Sequence, residues 1–208
     1  APATVSVTML GKDGARPLSG AQSVTIDAGS VFDIQLAGVP AGTYGVQVTS
    51  NTPVGAAARM VRSGGEYPAR SKALVHDQAW AQAALPGAAD SGLLAVPRAA
   101  SLSSAVTVAN SGETTSVTLS SLDGSWKQDV KVAKGSSSVV EVPAKVSAVR
   151  LNAAGQKGSS GASHTSSGLA AATIVTAQAG GDLAGTLIST VSAQPDATVQ
   201  AQRRILLD

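Results

Sequence analysis

Two histidines, His76 and His164, are the side chains of this chain best suited to assist nucleophilic catalysis. Such catalysis needs a histidine beside a nucleophile, together with an acid that orients the ring. Gly161-Ala162-Ser163-His164-Thr165 comes within one residue of a nucleophile elbow, but it ends in threonine where that motif requires glycine. We therefore expect His164 to be a solvated loop histidine and no residue to be catalytic, and a hydrolase is the least supported function.

Acidic side chains could hold a metal ion only if they clustered, and along this sequence they are dispersed. There is no calcium-loop spacing and no cysteine to supply thiolate ligands. Asp13-Gly14 and Asp123-Gly124 are typical of hairpin turns, because Asp-Gly tolerates the positive φ angles that such turns require. We expect neither a metal site nor a cofactor.

Exposed aromatic rings on β-sheets can stack against sugars, and Trp126 and Trp80 are the candidates for such a ligand-binding platform. Phe32 alternates with Ile34 and Leu36, which predicts an inward row on one strand. Tyr44 is likewise predicted to be a core residue and is a candidate for a tyrosine corner. For the two tryptophans, packing is the favoured interpretation and glycan binding is the alternative.

The composition indicates an exported protein. Only 13% of the 208 residues are charged, compared with about 25% in an average domain, and small neutral polar residues take their place. The net charge is +2 without a basic stripe, which argues against a nucleic-acid partner. No apolar run approaches the roughly 18 residues that span a membrane, so membrane contact would need an anchor outside this segment.

The segments that must position these residues alternate apolar and polar side chains, which predicts β-strands. Residues 4–9 show this pattern before an Asp-Gly turn, and residues 114–119 repeat it before another. Residues 170–175 resemble residues 56–61 in the same order. A period of about 110 residues is far longer than that of solenoid or propeller repeats, so it indicates duplicated domains.

The sequence thus predicts an all-β protein of two tandem, related β-sandwich domains of the immunoglobulin or fibronectin type, residues 1–100 and residues 101–208. The second copy opens with a strand at residues 104–112 that has no counterpart in the first. We expect residues 198–207 to supply that missing strand from the C-terminus.

Residues 36–46, 49–58 and 77–81 resemble an uncharacterised family of actinobacterial proteins, secreted or membrane-anchored, that repeat β-rich domains. The second half departs from the pattern, since it lacks the Pro-Ala-Gly-Thr-Tyr turn and has Gly185 in place of Trp80. The resemblance implies a domain of unknown function in the envelope or outside the cell. It supplies no catalytic residues.

We therefore expect a non-catalytic interaction or structural module, extracellular or in the cell envelope. Its partner would be an unknown protein or, in the alternative function, a cell-envelope glycan bound by Trp126 or Trp80. A hydrolase is the third alternative, and no nucleic acid is expected to bind.

Overall fold

The computed structural model describes residues 1–36, 38–66, 70–84, 89–154, 168–178 and 186–195. The first six strands are β1 (Ala3–Gly11), β2 (Gly14–Pro17), β3 (Val24–Ile26), β4 (Gly45–Ser50), β5 (Ala57–Glu66) and β6 (Leu74–Gln82). The next nine are β7 (Ser91–Ala95), β8 (Leu102–Asn110), β9 (Thr115–Ser121), β10 (Lys127–Val132), β11 (Ser136–Glu141), β12 (Ala148–Ala153), β13 (Leu169–Gln178), β14 (Thr186–Ser192) and β15 (Gln194–Pro195). The predicted all-β class is confirmed. This part of the chain contains no helix, and hence none that could cross a membrane.

β1 is the central strand of the first sheet, which we call sheet 1. Its apolar side chains Val5, Val7 and Met9 are buried, whereas the serine and threonines between them are more exposed, as the alternation predicts. β4 pairs with one edge of β1, and β2 and β3 pair in succession with the other. The predicted hairpin turn at Asp13-Gly14 joins β1 to β2, with Gly14 at φ 112°, a torsion that favours glycine.

The core beneath sheet 1 consists of small and medium-sized aliphatic side chains. Its buried members are Ala3, Val5, Val7, Leu18 and Ala21, and Val24, Ile26, Ile34, Val39 and Val48 pack against them. The predicted inward row is wrong at two of its three positions, because Phe32 is 54% exposed and Leu36 is 38% exposed. Residues 31–36 form no strand, and alternation orients side chains only where strand pairing holds the backbone extended.

Tyr44 makes the hydrogen bond expected of a tyrosine corner. Its hydroxyl donates to the carbonyl oxygen of Pro40, four residues upstream, at 3.1 Å. The half-buried ring lies against two glycines: a Cβ on Gly11 would come within 2.9 Å of Tyr44 Cε1, and a Cβ on Gly42 within 3.1 Å of Cε2. The ring therefore fixes the entry into β4 at the end of β1.

Two further sheets share one core and form a β-sandwich-like unit. Sheet 2 has the order β10-β9-β12-β7-β15, and sheet 3 has the order β11-β8-β13-β14. Fully buried side chains from both sheets form the core, among them Leu119 and Leu151 of sheet 2 and Val106 and Leu169 of sheet 3. No aromatic side chain is fully buried among the described residues, so this core depends on many small contacts.

Sheet 1 contacts sheet 3 through glycine and alanine. A Cβ on Gly45 of β4 would lie 2.5 Å from the Cβ of Ala109 in β8. A Cβ on Gly135 would lie 2.9 Å from the Cβ of Ala15 in β2. The two backbones are therefore too close at these points for any larger side chain.

β8 carries two buried polar side chains with opposite hydrogen-bonding states. Asn110 is completely buried, and its Nδ2 donates to the carbonyl oxygens of Glu113 at 2.8 Å and Val132 at 3.1 Å. Its Oδ1 accepts the backbone N–H of Gly112 at 2.9 Å. The buried hydroxyl of Thr107, by contrast, has no hydrogen-bond partner in the described part of the chain. Asn110 thus ties the ends of β8 and β10 together.

β5 and β6 form a two-stranded hairpin that contacts β14 at the edge of sheet 3. Asp77 Oδ2 accepts the backbone N–H of Ile188 at 2.6 Å, and the Thr190 hydroxyl donates to the carbonyl oxygen of Trp80 at 3.0 Å. Asp77 and the buried Ala79 lie on one face of β6, so that face is the one turned towards β14.

Several predicted features lie outside the described residues. They are His164 with its Gly/Ser-rich segment, Gly185, and the added strand at residues 198–207. β15 is the last described element and pairs with β7 in sheet 2.

Candidate functional site

The outward face of the β5–β6 hairpin brings together side chains from both strands. Residues paired across antiparallel strands project from the same face, and the register pairs Arg59 with Trp80. In the regular part of the hairpin, before the bulge that separates Ser63 from Glu66, all eight side chains on the face opposite Asp77 are exposed. We call this surface the Trp80 face: Ala57, Arg59, Val61, Ser63, His76, Gln78, Trp80 and Gln82. The acidic Glu66, paired with Leu74, lies beyond the bulge and outside this surface. This surface could not be recognised from the sequence, because its composition depends on the register between β5 and β6.

Trp80 is 55% exposed, so the favoured expectation that it packs in the core is wrong. The Arg59 guanidinium lies over its ring, 5.7 Å from the centroid, within the range of a cation–π interaction. Val61 is a diagonal neighbour of Trp80 and is also exposed. One signal could have revealed this exposure: along β6, Trp80 alternates in phase with Gln78 and Gln82.

Two amides flank the indole on the same strand. The three side chains occupy alternate positions of β6: Gln78, Trp80 and Gln82. Neighbouring side chains in this row are therefore about 7 Å apart along the strand. Each amide offers both hydrogen-bond donors and an acceptor. Arg59 adds a positive charge, and none of the eight side chains of the Trp80 face is acidic. The face therefore combines an apolar ring with polar and cationic groups.

The Trp80 face also contains a serine and a histidine in contact. His76 lies in β6, and its Nδ1 is 3.1 Å from Ser63 Oγ on β5. Asp77 lies on the opposite face of β6 and accepts the Ile188 N–H, so it does not orient the imidazole of His76. Among the residues that the structure describes, no acidic side chain is hydrogen-bonded to His76, so the pair is not part of a catalytic triad there.

Trp126 occupies a different environment. It is half-buried and packs against the core shared by sheets 2 and 3. Its backbone N–H donates to Ser121 Oγ at 2.9 Å in the turn between β9 and β10. The favoured packing interpretation therefore fits Trp126. Trp126 contacts the core of sheets 2 and 3 from the β9–β10 turn, whereas Trp80 lies on the exposed face of the β5–β6 hairpin.

The turn before Trp126 contains a perturbed carboxyl group. Asp123 accepts the Ser121 hydroxyl at 2.6 Å and the Ser125 backbone N–H at 3.0 Å. These hydrogen bonds lower the pKa of Asp123 from 3.8 to about 2, and the bond from the Ser121 hydroxyl has the largest effect. Residues 121–123 and 145–148 line a shallow depression of about 210 Å³ beside it. Since the turn itself uses the carboxylate oxygens, Asp123 stabilises the predicted hairpin.

Among the described residues, no three histidine or acidic side chains lie close enough together to hold a metal ion. No curated protein and no solved structure matches the chain. A model of a family of unknown function matches residues 1–143, more than half of the chain and including both tryptophans. The chain therefore belongs to the family of unknown function DUF5719.

Proposed function

We propose that this protein is a non-catalytic interaction module, extracellular or in the cell envelope, that contacts its partner through the Trp80 face. The observation that carries this proposal is the exposed indole of Trp80 beside Arg59, on a face whose eight side chains are all exposed. Tryptophan and arginine are the residues most enriched among those that dominate interface energy. When a partner covers the exposed apolar surface of Trp80 and Val61, the burial of that surface favours binding.

The non-catalytic part of the proposal is supported by the arrangement around His76. Its contact with Ser63 lacks an acid, and on an open sheet face there is no enclosed pocket to exclude water from a reaction. A binding surface needs neither feature.

The proposed location is supported by the low content of charged residues and by the resemblance to secreted or membrane-anchored actinobacterial proteins. We further propose that the chain is a tandem repeat of immunoglobulin-like units. The strand order supports this proposal. In the first half, β1 has β4 on one side and both β2 and β3 on the other. In the second half, β9 similarly has β12 on one side and β10 on the other. The β5–β6 hairpin likewise has its equivalent in β13 and β14.

Binding of the purified protein to an actinobacterial cell-envelope fraction tests the proposed function. We expect Trp80→Ala to lose about tenfold in apparent affinity. Phe32→Ala is the matched control, because it removes an aromatic ring of similar exposure from the segment between β3 and β4. Equal binding of wild type and Trp80→Ala would refute the Trp80 face as the contact surface.

A further inference from the structure

We propose that the Trp80 face binds an acidic polysaccharide, a chain of sugar rings that carry carboxylate groups. This inference rests on the proposed function and assigns a ligand class to the same surface. Three properties of the face support it: its shape, its hydrogen-bonding groups and its charge.

The shape is that of a short exposed strip. Gln78, Trp80 and Gln82 form a row of about 14 Å along β6, as the rise per residue of a strand dictates. This length fits a short stretch of oligosaccharide rather than one ring. The hairpin face is open along the strand, so a polymer can lie across it without threading a chain end into a pocket.

The hydrogen-bonding groups match those of a sugar. A pyranose ring has a C–H face that stacks on an aromatic ring and a rim of hydroxyl groups. Trp80 offers the ring, and Gln78 and Gln82 each offer a donor and an acceptor on either side of it. A protein partner would instead favour an indole surrounded by groups that exclude water. Here the neighbours of the indole on the face are Arg59, two glutamines, the small Ala57 and a single large apolar side chain, that of Val61.

The charge favours an acidic chain over a neutral one. The Arg59 guanidinium lies at the indole, where it can bind a carboxylate through two parallel hydrogen bonds. None of the eight side chains of the face is acidic, and the adjacent Asp77 faces β14. A carboxylate on the sugar next to the one stacked on Trp80 would therefore meet positive charge without repulsion.

Affinity electrophoresis in gels containing polygalacturonate or neutral dextran tests the inference. Polygalacturonate should retard the wild-type protein more strongly than dextran does, and added salt should reduce the difference. Trp80→Ala should weaken binding to polygalacturonate about tenfold, and Trp80→Phe should retain most of it. Arg59→Gln should remove the preference for polygalacturonate. Arg16→Gln, on the exposed part of β2, is the control for a lost positive charge.

Two results would overturn the inference. Retardation of Trp80→Ala equal to that of wild type would exclude the surface. Absence of retardation by both polysaccharides, while Trp80→Ala still loses binding to the envelope fraction, would exclude the ligand class, point to a protein partner and leave the proposed function intact. Circular dichroism of each variant establishes that the fold is retained.

Discussion

The carboxylate of Asp77 accepts the backbone N–H of Ile188 at 2.6 Å, joining residues that are 111 positions apart. Ile188 lies in β14, the outermost strand of sheet 3. Unpaired backbone groups on an outer strand invite pairing with other chains, and proteins commonly cover such edges. Asp77 therefore links the β5–β6 hairpin to sheet 3 and also blocks the exposed edge of β14.

Replacing Asp77 tests both roles. We expect Asp77→Ala to lower the free energy of unfolding by about 1–3 kcal/mol, because it leaves the Ile188 N–H without its acceptor. Self-association at high concentration should also increase, as measured by sedimentation. Asp33→Ala, at an exposed position in a loop, is the control. Unchanged stability in urea denaturation of Asp77→Ala would contradict this account.

The close approach of β4 and β8 predicts the effect of one added methyl group. Gly45→Ala should destabilise the protein by about 1–3 kcal/mol, because the new Cβ would meet that of Ala109 at 2.5 Å. Ala109→Gly should relieve the clash, so the double variant should be more stable than the sum of the single effects implies. Gly55→Ala is the matched control, since nothing lies within 4 Å of its added Cβ. Additive effects in thermal denaturation would rule out the contact.

The low pKa of Asp123 predicts a pH dependence. A carboxyl group whose pKa is about 2 when folded and 3.8 when unfolded stabilises the protein fully above about pH 4. That contribution is lost as pH falls through about 2. Asp123→Asn should therefore show a shallower loss of stability between pH 4 and pH 2 than wild type. In an NMR titration, Ser121→Ala should raise the pKa of Asp123 towards 3.8, and an unmoved titration would disprove the hydrogen-bond explanation.

The two buried polar residues of β8 should respond in opposite directions. Asn110→Ala should cost about 3 kcal/mol or more, because it removes three hydrogen bonds made by a completely buried side chain. Thr107→Val should stabilise by about 1 kcal/mol, since it removes a buried hydroxyl without a partner and keeps the shape of the side chain. Guanidinium unfolding measures both, and a destabilised Thr107→Val would indicate a missed hydrogen bond.

Strands with one buried face could be predicted from the sequence. Over residues 4–8 of β1 and 116–120 of β9 the inward residues are aliphatic and the outward ones are hydroxylic. The burial of Val5 and Val7 and of Val117 and Leu119 follows that alternation. The Asp-Gly turns were also predictable, because their geometry depends on local torsions.

Features that depend on long-range pairing could not be predicted in this way. Phe32 alternates like a strand residue, yet its segment pairs with no strand within the described chain, and the ring is exposed. The contact between Ser63 and His76 depends on the register of β5 and β6, which local sequence does not determine. The exposure of Trp80 is different, because its alternation in phase with Gln78 and Gln82 is visible in the sequence.

Because Trp80 and Trp126 are buried to different extents, the fluorescence of each tryptophan reports on a different part of the protein. An indole in water emits at longer wavelength than one packed in a core, so the emission of each can be separated in single-tryptophan variants. The fluorescence emission of Trp126 would report the unfolding of the core that sheets 2 and 3 share. Emission from Trp80 would respond to a ligand bound at the hairpin, so one variant would report ligand binding and the other would report unfolding.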